Sequence, residues 1–193
     1  MALEQAGSSL NLFADRVTRH NLLGWSFPSS WIQAANPIFV IIFSPIFAWL
    51  WIKLGQRQPS SPAKFSLGLI SVGLGFSVVA YASTLSSDGP VSPMWLITAY
   101  LFNSFGELCL SPVGLSTVTK LAPARFVGSM MGVWFACTAV GNYAAGRVAG
   151  FFQANDQDAL LSLFGTVALV TIGAGIVLAL IVPFIKKLTP RSN

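Results

Sequence analysis

Apolar runs long enough to cross a bilayer, which takes about 20 residues, recur along this chain with only short polar connectors between them. That pattern excludes most soluble folds. Hydrophobic residues make up 54% of the sequence and charged residues 9%, against about 25% charged in a soluble domain. The runs predict an all-α membrane protein with five complete transmembrane helices, near 28–53, 63–85, 93–120, 126–153 and 159–185, and a truncated first helix near 1–16. Met1 is followed by Glu4 without a charged n-region or a long apolar core, so no cleavable leader is expected and the chain reads as beginning inside a helix.

The net charge of +5 is distributed by loop rather than gathered in a patch, which argues for membrane topology and against nucleic acid. Lys53, Arg57 and Lys64 fall between the second and third helices, Lys120 and Arg125 between the fourth and fifth, and Lys186, Lys187 and Arg191 after the sixth, eight of the eleven basic residues. The opposite loops carry Asp88, then Asp156 and Asp158, with Arg16 and Arg19 beside Asp15 in the first. The positive-inside rule therefore puts the C-terminus in the cytoplasm.

Against this background the stretch Phe105 to Pro123 is unusual, because it places Glu107 inside an apolar segment. In a helix from Pro93 to Leu121 the acid lies 14 residues from either end, near the bilayer midplane. A charge there costs about 2.5–3.5 kcal/mol on insertion scales, so such residues face a bundle interior or a wet cavity. Tyr100, Asn103, Ser104, Glu107, Ser111 and Gly114 share one side of that helix by their three- and four-residue spacing. Pro112 removes the donor for the Leu108 carbonyl and predicts a kink one turn from the acid.

Other helices carry weaker polar signals. Glu4, Ser8, Asn11 and Asp15 recur at helical spacing in the first segment, with Asp15 also readable as a solvated helix end. The second contains Asn36-Pro37 and Ser44-Pro45, where two kinks are expected. The third and sixth are glycine-rich and read as scaffold. The fifth pairs Gly128 with Gly132 and Gly146 with Gly150 at the spacing of close helix contact, and between them sets Trp134, Thr138, Gly141 and Asn142 on one face. Arg147, nearer the outer end, reads as snorkelling or ion-paired structure rather than a substrate contact. Cys109 and Cys137 both read as buried packing thiols, and His20 as a surface residue, so no metal is expected. Each set of three helices contains one polar, interrupted helix and one glycine-rich one, a hint of a three-plus-three repeat.

Glu4-Gln5-Ala6-Gly7-Ser8-Ser9 through Asp15-Arg16, Asn36-Pro37 with Ser44-Pro45, the block Gly106-Glu107-Leu108 to Leu121-Ala122-Pro123, and Gly132-Val133-Trp134-Phe135 together carry a family resemblance. On these motifs the sequence resembles the C-terminal half of a bacterial proton-dependent oligopeptide transporter of the major facilitator superfamily, over nearly the whole chain. The resemblance implies helices seven to twelve of a twelve-helix carrier in the bacterial inner membrane. Its substrates would be di- and tripeptides, its coupling ion a proton, and it would need no other cofactor. It further implies that Glu107 and Asn36 engage the peptide's amino terminus and that Trp134 and Thr138 line the pocket, although family members often carry serine at the Thr138 position. Glu4 matches an acidic position tied to gating or proton coupling, and Glu107 matches a partner for a gate lysine. Asp15 is grouped with these gate or coupling candidates. The N-terminal half, with the glutamate-rich coupling motif and the basic residues for the peptide carboxylate, has no counterpart here.

Physics is compatible with those roles. A carboxylate in a low-dielectric cavity attracts an ammonium group, and desolvation favours its protonated form, so one residue can hold either cation. Two readings follow: one wall of a peptide:proton symporter, acting with a missing N-terminal six-helix half or a self-associated copy, or a truncated, non-transporting membrane fragment that only packs against a partner. No enzyme is expected, since no nucleophile with its base and no metal-ligand cluster is visible.

Overall fold

The computed structural model describes residues 9–18, 21–22, 25–26, 28–150 and 157–188. Helix α1 (Ser9–Arg16) leads into a two-residue antiparallel pair, β1 (Asn21–Leu22) and β2 (Trp25–Ser26), then into α2 (Ser29–Gln33) and α3 (Ala35–Leu54). Helices α4 (Ser61–Thr84), α5 (Pro93–Leu121), α6 (Val127–Ala149) and α7 (Gln157–Leu188) follow. Glu4, His20 and Asp156 lie outside the described residues.

The second expected helix is divided. Pro37 has no N–H for the Gln33 carbonyl, and its ring crowds that oxygen, so the chain turns at Ala34 and α3 begins at Ala35. Ile38 N–H then donates to the Ala34 carbonyl at 3.3 Å. Pro45 lies inside α3 without ending it, as Pro112 does in α5. At the start of α5, Ser92 caps the helix by accepting from Met94 N–H, and Pro93 supplies a preset first turn.

Helix α4 packs mainly against α7 and α5, and α3 packs against α5. The α4 contacts are backbone-close. A Cβ on Gly73 would collide with Ile172, and one on Gly106 would collide with Val72 and stand 2.9 Å from the Gly68 carbonyl oxygen. Only hydrogen at these two positions lets the helices approach so far. Ser66 Oγ donates across to the Gly175 carbonyl at 2.8 Å, which ties α4 to α7. Nearer the opposite end, Phe13 meets Phe164 edge-on at 5.6 Å and Phe76 stacks on Phe164 at 6.4 Å, joining α1, α4 and α7. Val91 N–H donates to the Val17 carbonyl at 2.9 Å, pinning the end of α1 beside the start of α5.

Three sequence expectations are corrected here. Gly128, Gly132 and Gly146 have nothing within 4 Å of where a Cβ would stand, so these α6 glycines do not mediate contact among the described residues. Small-residue spacing fixes a face but not which face meets a neighbour. Cys109 is buried, whereas Cys137 is exposed on α6. Lys64 is no loop cation: it sits in the first turns of α4 and is only 9% exposed.

The outer surfaces are apolar. No residue of α3 is buried, and Ile52 is 80% and, on α6, Tyr143 70% exposed. Among the described residues, four helical stretches are long and apolar enough to cross a membrane: Trp31–Leu54, Ser61–Thr84, Ala124–Ala149 and Asp158–Phe184. Helix α5 has the length, with 29 residues, but is not among them; Asn103, Ser104, Glu107 and Ser111 interrupt its apolar character.

Candidate functional site

The polar side of α5 faces inward. Tyr100 and Ser104 are fully buried, Asn103 is nearly so, and Glu107 is half-buried. Opposite it, the start of α3 at Ala35 puts Asn36 in the first turn of that helix. Asn36 Nδ2 donates to Glu107 Oε2 at 3.3 Å. Ser104 Oγ stands 2.8 Å from Asn36 Oδ1 and 2.8 Å from the Tyr100 carbonyl oxygen. A hydroxyl has one proton, so Ser104 donates to one of these at a time. When it donates to Asn36 Oδ1, the amide is oriented with its N–H toward the carboxylate.

The structure thus brings together two residues 71 positions apart in sequence, Asn36 and Glu107. Glu107 Oε1 has no hydrogen-bond partner among the described residues. A carboxylate held by one neutral amide keeps acceptor capacity for a cation, or for its own proton. Two aromatic contacts from Phe105, with Phe43 at 4.8 Å and Phe47 at 5.6 Å, hold α3 against α5 beside it.

Trp134 packs on the same side of α5, further along the helix. Its indole lies against Gly114, where a Cβ would collide with three ring atoms. Gly114 is seven residues beyond Glu107, about 10 Å along the helix. Thr138, one turn on in α6, donates its hydroxyl to the Trp134 carbonyl at 3.1 Å. Trp134 and Thr138 are both half-buried, whereas Asn142 and Arg147 are exposed. Asp15 is also exposed, in the last turn of α1. That turn is pinned near Val91, so Asp15 and Glu107 are separated by much of the length of α5, roughly 20 Å. Glu4, the other acid of the first segment, lies outside the described residues.

Two features escaped the sequence reading. The Gly114–Trp134 contact has no signal beyond a glycine on the polar face. The Asn103 side chain is buried, with its Oδ1 unpartnered, although it shares the face of Glu107. No group of three His, Cys, Asp or Glu side chains suited to a metal occurs among the described residues.

Comparison with known proteins identifies the family. The profile of the POT family matches residues 1–167. The uncharacterized transporter YclF of Bacillus subtilis strain 168 is 46% identical over 184 residues, covering 95% of this chain and 37% of the relative. The peptide transporter YePEPT of Yersinia enterocolitica is 44% identical over 189 residues, covering 94% and 37%. Among solved structures, a mutant of peptide transporter POT in complex with alafosfalin superposes with a TM-score of 0.87 at 39% identity, over 97% of this chain and 39% of that one. A POT family transporter in complex with 5-aminolevulinic acid gives 0.85 at 30%, over 95% and 38%. The chain therefore spans under two fifths of the length of these relatives, matching their C-terminal part. These proteins are transporters, not enzymes. With the sequence profile and the superposed helices in agreement, the chain belongs to the POT family.

Proposed function

We propose that this chain is the C-terminal transmembrane bundle of a proton-coupled di-/tripeptide symporter and supplies one wall of its peptide cavity. The observation that carries the proposal is the Asn36–Glu107 hydrogen bond on the buried polar side of α5. An acid in a membrane-spanning helix is functional by default, because an insertion penalty of a few kcal/mol must be offset by what it binds. Here its protein partner is a neutral amide, which leaves the negative charge uncompensated. A peptide's ammonium group supplies the charge and several N–H donors at once; a proton supplies the charge alone. Exchange of these two cations on one carboxylate couples peptide to proton. Trp134 and Thr138 line the cavity further along α5, and Glu4 and Asp15 serve gating or coupling, Asp15 at a distance from Glu107. The bundle lies in the bacterial inner membrane with its C-terminus in the cytoplasm, and α5 spans the bilayer because its polar side is turned inward.

The apolar surfaces of α3 and α6 favour a six-helix partner, either the N-terminal half of the carrier or a second copy. A lone chain in which these helices merely pack would be the non-transporting alternative. In the full-length carrier, Glu107→Gln keeps the shape and the Asn36 contact but removes the charge and its titration. Proton-driven uptake of a labelled dipeptide should fall to background while membrane insertion is unchanged. Uptake near that of the unaltered carrier would sink the proposal, and failure to accumulate would make Glu107 a structural residue.

A further inference from the structure

Toward the end of the bundle opposite the Phe13–Phe164 core, the last turn of α3, the loop into α4, the first turn of α4 and residues 108–120 of α5 line an open cavity of about 390 Å³. Lys64 and Lys120 both line it, and no carboxylate does. Lys64 is held rather than neutralised: its Nζ donates to Gln58 Oε1 at 2.9 Å and lies 4.2 Å from the centre of the Trp51 ring. Lys120 is exposed and has no hydrogen-bond or ion-pair partner among the described residues. The start of α4 opens onto the same space. Ser60 is its N-cap, yet its side chain caps nothing, and its buried Oγ has no hydrogen-bond partner. Ser61, in the first turn of α4, and Ser116 complete the wall.

Two ammonium groups beside the serines of the wall suit a phosphate oxyanion, and no lining residue among those described carries a negative charge. The two lysines and Trp51 lie where α3 and α5 end and α4 begins, the level of lipid headgroups, and the cavity runs from there along α5 as far as Leu108. We infer that this cavity is a phosphate-binding site whose occupant is the headgroup of an anionic phospholipid. It is separate from the Asn36–Glu107 pair and does not depend on peptide transport.

The test uses the purified full-length protein in mild detergent. Phosphatidylglycerol, phosphatidylcholine or inorganic phosphate is titrated in, with retained lipid read by native mass spectrometry and thermal stability read in parallel. Phosphatidylglycerol should be retained and should raise Tm, with phosphatidylcholine bound clearly less. The paired substitution Lys64→Gln with Lys120→Gln should weaken phosphatidylglycerol about tenfold or more, the size expected for losing charge-assisted contacts. Lys53→Gln, at an exposed lysine stacked on Trp49 at the same end of the bundle, should bind like the unaltered protein. If inorganic phosphate reproduces the Tm rise and displaces phosphatidylglycerol, the site is a phosphate site with a soluble occupant, and the lipid assignment is overturned. Equal retention of the two lipids, or equal losses in the paired variant and Lys53→Gln, overturns the site itself. Should the paired variant fail to accumulate, Lys120→Gln alone decides: a loss of about threefold supports the site, and an unchanged affinity overturns it.

Discussion

The two sides of α5 are built on different principles. Toward α4 the interface is filled by shape: Gly106 meets Val72 and the Gly68 carbonyl, and Gly75 meets the Ala99 carbonyl at 3.0 Å from where a Cβ would stand. Toward α3 and α6 the contacts are made by an amide, a carboxylate and an indole lying on Gly114. Lipid tails are as apolar as leucine, so close van der Waals contact is what holds the first interface. The second gives up some of that density, since Asn36, Glu107, Trp134 and Thr138 are all only half-buried. Groups that must meet a ligand and release it belong on the less filled side, while the α4–α5–α7 core keeps its geometry.

That contrast breaks most sharply at the glycines. Gly106→Ala should cost on the order of 3 kcal/mol, the upper range for overpacking, because a backbone oxygen as well as Val72 blocks the new methyl. Gly146→Ala meets nothing within 4 Å in the chain and should change stability by no more than about 1 kcal/mol, in the favourable direction, by raising helix propensity. Denaturant unfolding of the purified carrier, followed with monodisperse yield, compares the two. Equal tolerance would remove the distinction between the interfaces. A large cost at Gly146 would instead mean that a surface beyond this chain closes on α6.

Much of this was legible in the sequence, for physical reasons. Apolar run length is set by the bilayer, so the long helices could be located, and the three- and four-residue spacing around Glu107 identified the polar face of α5. Pairwise facts were not legible. Nothing local specifies that Asn36 and Glu107 meet, which came in the sequence reading only from family resemblance; the hydrogen bond gives it a geometric basis. The kink expected at Asn36-Pro37 takes the form of a one-residue turn at Ala34, upstream of the proline, because a proline acts on the carbonyl four residues earlier. Lys64 was read as a loop charge since a lysine's long stem, not its sequence neighbours, decides how deeply it can be buried.

A smaller effect is expected at Gly114. Gly114→Ala forces the Trp134 indole to move, because three of its ring carbons occupy the space of the new methyl. The side chain is half-buried and has room to turn, so accumulation of the carrier should be normal. Peptide uptake should nevertheless fall by about tenfold or more if the indole lines the pocket, as a displacement of about 1 Å at a positioned group is costly. Unchanged uptake would remove Trp134 from the cavity wall and leave it as packing between α5 and α6.

The finest test separates the Asn36–Glu107 pair from its support. Ser104→Ala removes the one proton shared between Asn36 Oδ1 and the Tyr100 carbonyl, and leaves the carboxylate and the amide in place. Losing one neutral hydrogen bond costs about 1 kcal/mol, so the KM for peptide should rise by about fivefold. If Ser104 acts by orienting the Asn36 amide, Asn36→Ala already removes what it orients, and adding Ser104→Ala should then have little further effect. Additive losses in the double variant would show that Ser104 serves a backbone carbonyl, that of Tyr100 or that of Asn36 at 3.3 Å, rather than the Asn36 amide. The functional side of α5 would then begin at Glu107 rather than one turn earlier.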